Sequence, residues 1–148
     1  MDARIIDELR RLAGIDGVRT DDEARSAAAG DKWFARAVPE VVVFPRSTAA
    51  VAGVMKVAAR EKIPVTTRGA GYGYVGGCVP VRGGIALCLE RMNRIKEISG
   101  EDFLAVAEPG VITGHLQDEA RRRGLFYPPD PASLKDCSIG GNIATNAG

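Results

Sequence analysis

The chain has 148 residues, a formal net charge of +1, 45 % apolar and 26 % charged residues. That size and balance suffice for one globular core and exclude a disordered chain. The near-neutral charge also excludes the strongly basic surface of a nucleic-acid binder and the acidic block of a tail protein as default readings.

The elements follow in chain order. Ile5, Ile6, Leu9 and Leu12 share one helical face, which predicts a helix over 2–13 with Asp2 as its cap and Gly14 as its end. Residues 15–40 are mixed and polar. Within them Ser26-Ala27-Ala28-Ala29 suggests a helical turn, and Trp33-Phe34 is expected to plug into a core. Val41-Val42-Val43-Phe44 is a continuous β-branched run typical of a buried strand, stopped by Pro45. Ser47 or Thr48 then caps a helix with Val51, Val54, Met55 and Ala58 on its inner face. Residues 63–67 form the next strand, so strand, helix and strand make a parallel, right-handed βαβ unit. Further strands are expected at 85–89 and 104–107. A helix is expected over 112–123, capped by Thr113, packed through Leu116 and Ala120 and ended by Gly124. Residues 127–133 read as a rigid turn segment. The organisation is an N-terminal helical segment, 1–40, and a unit from 41 to 148.

Glycine is in excess, 18 residues against a usual share of about 7 %, and it is concentrated. Between Arg68 and Gly77 five of ten positions are glycine. Without a Cβ, such a loop can take positive φ and turn successive N–H groups toward an anion, with pyrophosphate the natural guest. Gly71, Gly73 and Gly76 spell G-x-G-x-x-G after a strand, but a Rossmann site needs a helix to start inside the motif. Pro80, Gly83 and Gly84 forbid that helix. No Gly-Lys-Ser/Thr follows, so a P-loop is excluded as well. A flexible connection between strands stays open as the alternative for this loop alone. The second segment, 138–148, mixes Gly and Ala with Ser138, Asn142, Thr145 and Asn146. It suits close approach to a flat ligand, or else a tight turn within a sheet.

In order and spacing, Pro45-Arg46-Ser47, the run Arg68 to Gly77, Pro129-Asp130-Pro131-Ala132-Ser133, Cys137-Ser138-Ile139-Gly140-Gly141-Asn142 and Asn146-Ala147-Gly148 resemble the FAD-linked oxidase family. Its flavin domain is of the vanillyl-alcohol-oxidase/p-cresol-methylhydroxylase (PCMH) type, and the resemblance points to the branch of glycolate oxidase D subunits and D-lactate dehydrogenases. It implies an α+β fold, the first βαβ lobe of a PCMH-type FAD-binding domain plus the start of a second lobe, incomplete. It implies that Arg68, Gly69, Ala70, Gly71, Tyr72, Gly73, Gly76 and Gly77 hold the FAD pyrophosphate. Pro131, Ser133, Ser138, Gly141, Asn142, Thr145 and Asn146 would line the flavin and its ribityl chain.

The implied reaction is oxidation of a 2-hydroxy acid of the glycolate or D-lactate type by hydride transfer to flavin N5. A quinone, cytochrome, flavoprotein, O₂ or partner oxidase subunits would take the electrons. Where covalent members carry a flavin-linked histidine this chain has Tyr72, so noncovalent FAD is expected, and a thioether to Cys137 is disfavoured. Because family members run on past the motif at Gly148, the resemblance implies the first part of a longer protein with its catalytic residues beyond Gly148. A non-catalytic FAD- or nucleotide-binding subunit, or another oxidase of the superfamily, is the alternative.

The remaining candidates carry little. His115 is the only histidine, so no Ser-His-Asp or Cys-His arrangement arises, and Cys78, Cys88, Cys137 and His115 lack metal-ligand spacing. Arg121-Arg122-Arg123 complements a helix C-terminus. Glu108-Pro109-Gly110 reads as a strand-ending turn. Three widely spaced cysteines and no secretory leader suggest a reduced, cytoplasmic setting, with peripheral membrane attachment left open and no spanning segment.

Overall fold

The computed structural model describes residues 1–147; Gly148, the end of the second glycine-rich segment, lies outside the described residues. Asp2 opens α1 (Ala3–Ala13) by accepting the Arg4 backbone N–H at 2.7 Å, and Gly14 leaves the helix at φ 86°. The stretch that resisted sequence reading holds β1 (Val18–Arg19) and α2 (Asp22–Ala27), the latter capped by Asp21. Trp33 and Phe34 do not enter a core: they are 57 % and 82 % exposed, and Trp33 meets Phe34 and the edge of Tyr74 instead.

The β-branched run forms β2 (Val41–Val43), and Ser47 caps α3 (Thr48–Glu61) through the Ala50 N–H. The buried stripe of α3 is Ala50, Val54, Val57 and Ala58, an i, i+4, i+7, i+8 pattern. Met55, one residue and about 100° from Val54, is therefore outside it. Next come β3 (Val65–Arg68) and β4 (Ile85–Cys88). The four strands form one sheet in the order β1-β2-β4-β3, with only β1 antiparallel. Ile85 of β4 is the register partner of both Val41 and Val65, so β2 and β3 are parallel but separated by β4.

At the central strands β2 and β4 both faces of the sheet are covered, which is why these two strands read as unbroken apolar runs. Val41, Val43, Ile85 and Leu87 pack on one side against Ile5, Ile6 and Leu9 of α1 and Val54, Val57 and Ala58 of α3. Val42, Ala86 and Cys88 meet Ala28 and Phe44 on the other. The two helices cross closely: a Cβ at Gly53 would come within 2.6 Å of Leu12 Cδ2.

A second, smaller unit follows. The antiparallel hairpin β5 (Ile95–Ser99) and β6 (Leu104–Ala107) joins α4 (Thr113–Arg122) and α5 (Ile139–Thr145). Their shared core is Ile98, Val111, Leu116 and Ile139. Strand β5 carries no alternation, since its register shifts between Ile95 and Glu97. The mixed α+β architecture agrees with the sequence expectation. No helix among the described residues is long and apolar enough to cross a membrane.

Candidate functional site

Residues 65–67 of β3, Leu89 just after β4, the loop that follows β3 and α5 enclose a cavity of about 720 Å³ between the two units. That is within the range of small-molecule sites. Gly69, Ala70, Gly71, Tyr72, Gly73, Gly76 and Gly77 line it from one side, and Ser133, Ser138, Gly141, Asn142 and Thr145 from the other. The two glycine-rich segments, 68 residues apart at Ala70 and Ser138, thus face each other across one hollow.

The loop has the form its composition suggested. Gly71 and Gly76 take φ +75° and +74°, a region costly for side chains with a Cβ. A Cβ at Gly73 or Gly76 would meet no atom within 4 Å, and at Gly77 only Val75 Cγ2 at 3.9 Å. These glycines are therefore not required by packing against the chain itself. The backbone N–H groups of Gly71, Tyr72, Gly73, Tyr74, Val75 and Gly77 donate to no acceptor among the described residues. Open space beside unused donors is the local chemistry of an anion cradle.

Ser138 joins the two walls. Its Oγ accepts the Ala70 N–H at 3.3 Å, and a Cβ at Gly69 would stand only 2.6 Å from that oxygen. Residues 137–139 pair with 111–113: Thr113 N–H donates to the Cys137 carbonyl at 3.0 Å and Ile139 N–H to Val111 at 2.8 Å. Thr113 was expected as a helix cap. It is instead the first residue of α4, fully buried, with no capping bond. Its Oγ1 accepts the Asn142 amide at 2.6 Å and donates to the Cys137 carbonyl at 3.3 Å. That buried network holds α5 in place, so Asn142 serves the wall as well as lining it. Gly140 packs the helix against Pro109, where a Cβ would approach to 2.6 Å.

Three of the expected residues stand outside the cavity lining. Arg68 turns its guanidinium away, donating to the Gly30 carbonyl and to Cys78 Sγ at 3.3 Å, and lines a neighbouring hollow with Lys32 and Arg36. It lies against Gly71, where a Cβ would meet its Nη2 at 2.2 Å. Pro131 is buried and accepts the Leu134 N–H. Asn146 is the left-handed C-cap of α5 at φ 51°. Sequence reading missed Asp31, Thr66, Leu89 and Pro109, all of which line the cavity. Asp31 had no signal, because only the fold brings residue 31 to the loop at 69–77.

The electrostatics are mild. Backbone N–H groups of Trp33 and Gly76 hold the Asp31 carboxyl below its ordinary range. Burial pushes the Cys88 thiol up to about 12, so it stays protonated and inert. Behind Pro109, Glu108 is buried and ion-paired to Arg94 at 2.7 Å. The Arg94 side chain, then its backbone N–H, lower the Glu108 carboxyl to about 2. No cluster of three or more His, Cys, Asp or Glu side chains forms among the described residues.

Comparison with known proteins follows the same lines. Residues 39–148 match the family model described as FAD binding domain. The chain is 39 % identical over 113 residues to glycolate oxidase subunit GlcD of Bacillus subtilis (strain 168), covering 76 % of this chain and 24 % of that protein. It is 44 % identical over 115 residues to a D-lactate dehydrogenase of Anaerostipes hadrus, covering 78 % and 24 %. It is 38 % identical to a D-2-hydroxyglutarate dehydrogenase of Stutzerimonas stutzeri (strain A1501), covering 99 % and 32 %. Among solved structures, p-cresol methylhydroxylase superposes with a TM-score of 0.85 at 26 % identity, over 97 % of this chain and 29 % of that one. Thus the chain spans about a quarter to a third of the length of the relatives it matches.

Proposed function

The chain belongs to the FAD binding domain family, with a PCMH-type fold, and from that premise we propose that the cavity between its two units holds FAD in a flavin-dependent 2-hydroxyacid oxidoreductase. The single observation that carries the reading is the run of unused N–H groups at Gly71–Val75 and Gly77, opposite the wall built on Ser138 and α5.

The fit to the group is direct. A pyrophosphate needs several donors and no Cβ in the way, and the loop offers both. Backbone donors on a loop fixed at Gly71 and Gly76 are preorganised, so they bind an anion with little ordering cost. Across the cavity, the small residues Ser138, Gly141 and Ala144 leave room for a flat ring. Tyr72 stands where the resemblance sets a flavin-linked histidine in covalent members, so the cofactor is held noncovalently. Bound FAD would supply the redox chemistry, hydride acceptance at N5 from the hydroxyl-bearing carbon of a glycolate- or D-lactate-type substrate. The chain's own residues bind, orient and shield; none of them is assigned a proton-transfer role. Site residues carried over from the sequence are Gly69–Gly73, Gly76, Gly77, Ser133, Ser138, Gly141, Asn142 and Thr145, with Arg68 acting on the loop from behind.

The test is flavin uptake by the protein as expressed from its gene. FAD binding with a flavin absorbance at about 450 nm, against no retention of riboflavin, which lacks the pyrophosphate, is the expected result. A folded protein that takes up no FAD overturns the reading. Bleaching of the bound flavin by D-lactate, glycolate or D-2-hydroxyglutarate identifies the substrate class; a flavin that none of them bleaches points to a non-catalytic subunit.

A further inference from the structure

The turn that carries Asp31 touches the glycine loop at four points, and residues 30–33 lie outside the family match at 39–148. The Gly30 carbonyl accepts the Arg68 guanidinium at the loop's start. The Lys32 N–H donates to the Gly73 carbonyl at 3.1 Å, in the middle of the loop. Lys32 Nζ sits 4.1 Å from the centre of the Tyr72 ring, a cation–π distance. The Asp31 carboxylate closes the far end: Oδ2 accepts the Gly76 N–H at 2.8 Å while Oδ1 accepts the Trp33 N–H at 2.8 Å.

We propose that this turn is a brace for the glycine loop and that Asp31 is its positioning residue, bridging the backbone of its own turn to Gly76. The inference rests on the reading of the cavity as an FAD site, and adds to it the residue that sets the cradle's shape. A carboxylate beside a pyrophosphate site would repel its guest if its charge faced the cavity unmatched. Here both oxygens are engaged by backbone N–H groups, and the Arg68 guanidinium stands nearby. The Gly76 N–H is consequently occupied, and the donors left for an anion are those between the two positive-φ glycines and at Gly77. A loop with five glycines has much conformational entropy to lose on ordering. Fixing both its ends in the free protein lowers the cost of closing it round a ligand.

The experiment compares the whole protein with Asp31→Ala and Asp31→Asn, using FAD and ADP as probes. Asp31→Ala removes both acceptors and is expected to weaken FAD and ADP at least about tenfold. Asp31→Asn keeps one acceptor oxygen, can hold only one of the two N–H groups, and is expected to fall between wild type and Asp31→Ala. In the ligand-free proteins, hydrogen exchange at the Gly76 amide should accelerate in Asp31→Ala while the melting temperature stays within about 2 °C, since none of residues 30–33 belongs to an apolar core cluster. Wild-type protein that binds FAD together with an Asp31→Ala variant of equal affinity, or with unchanged Gly76 exchange, overturns the brace and leaves the cavity reading standing. Wild-type protein that binds neither FAD nor ADP overturns both.

Discussion

The two glycine-rich segments that face each other across the cavity use the same residue for opposite purposes. In the middle of the loop after β3, glycine is kept by backbone conformation and open space: Gly71 and Gly76 have positive φ, and a Cβ at Gly73 or Gly76 would touch nothing, whereas Gly69 at the loop's start is held by contact with Ser138 Oγ. At the start of α5, glycine is required by contact: Gly140 stands against Pro109, where a Cβ would approach to 2.6 Å. One segment keeps its backbone free for a guest. The other gives up helix propensity, about 1 kcal/mol per glycine relative to alanine, to bring a helix close to a turn. Composition alone does not separate the two cases; the neighbours do.

Substitutions in the two segments should act on different measurable quantities. The largest effect is expected at Gly71→Val. It combines a forbidden φ with a Cβ 2.2 Å from the Arg68 guanidinium, and should weaken FAD binding by about a hundredfold or more, read by fluorescence titration. Gly140→Ala should do the reverse. It costs about 1–3 kcal/mol in urea unfolding, because Pro109 and the backbone of α5 must separate. Equal stability of that variant and the parent would remove the packing account.

Glu108 sharpens the same contact, since it anchors the turn on which Gly140 packs. Its carboxyl is lowered from 4.5 to about 2 by Arg94. A depressed carboxyl contributes stability above its unfolded value and loses it as pH falls through the folded one. Glu108→Gln should therefore cost about 1–2 kcal/mol at neutral pH, the exposed Arg94 partner keeping the figure modest. The gap to wild type should hold above about pH 5 and close between about pH 4.5 and 2. A gap that persists at pH 2 would mean the ion pair is not its source. The smallest effect on stability is expected at Gly73→Ala. With no atom within 4 Å and no positive φ, it should change the unfolding free energy by less than about 0.5 kcal/mol yet weaken FAD several-fold. Loss of stability with unchanged affinity there would reverse the roles assigned to the two segments.

Legibility in the sequence followed the range of the interactions involved. The β-branched run at 41–43, the capped helix after Ser47 and the glycine loop are local signals, and each stands where it was expected. Helix α5 was not legible, since Ile139-Gly140-Gly141-Asn142 has weak helix propensity and is held by Thr113 and Pro109 from distant segments. Trp33 and Phe34 misled for a related reason. Aromatic residues suggest burial, but their partners are each other and Tyr74 at the surface.

What the sequence determined by itself is the class of molecule: a βαβ unit, a glycine loop incompatible with a Rossmann helix, and an ordered set of motifs that points to a flavin. Local propensity and motif spacing are properties of the chain, so they survive without coordinates. Only the tertiary structure decided the rest. It placed β4 between β2 and β3, turned Arg68 behind the loop instead of into the cavity, and carried Asp31 to Gly76 across 45 residues of chain. Those outcomes depend on which apolar faces are buried together, and burial couples residues that no sequence window contains.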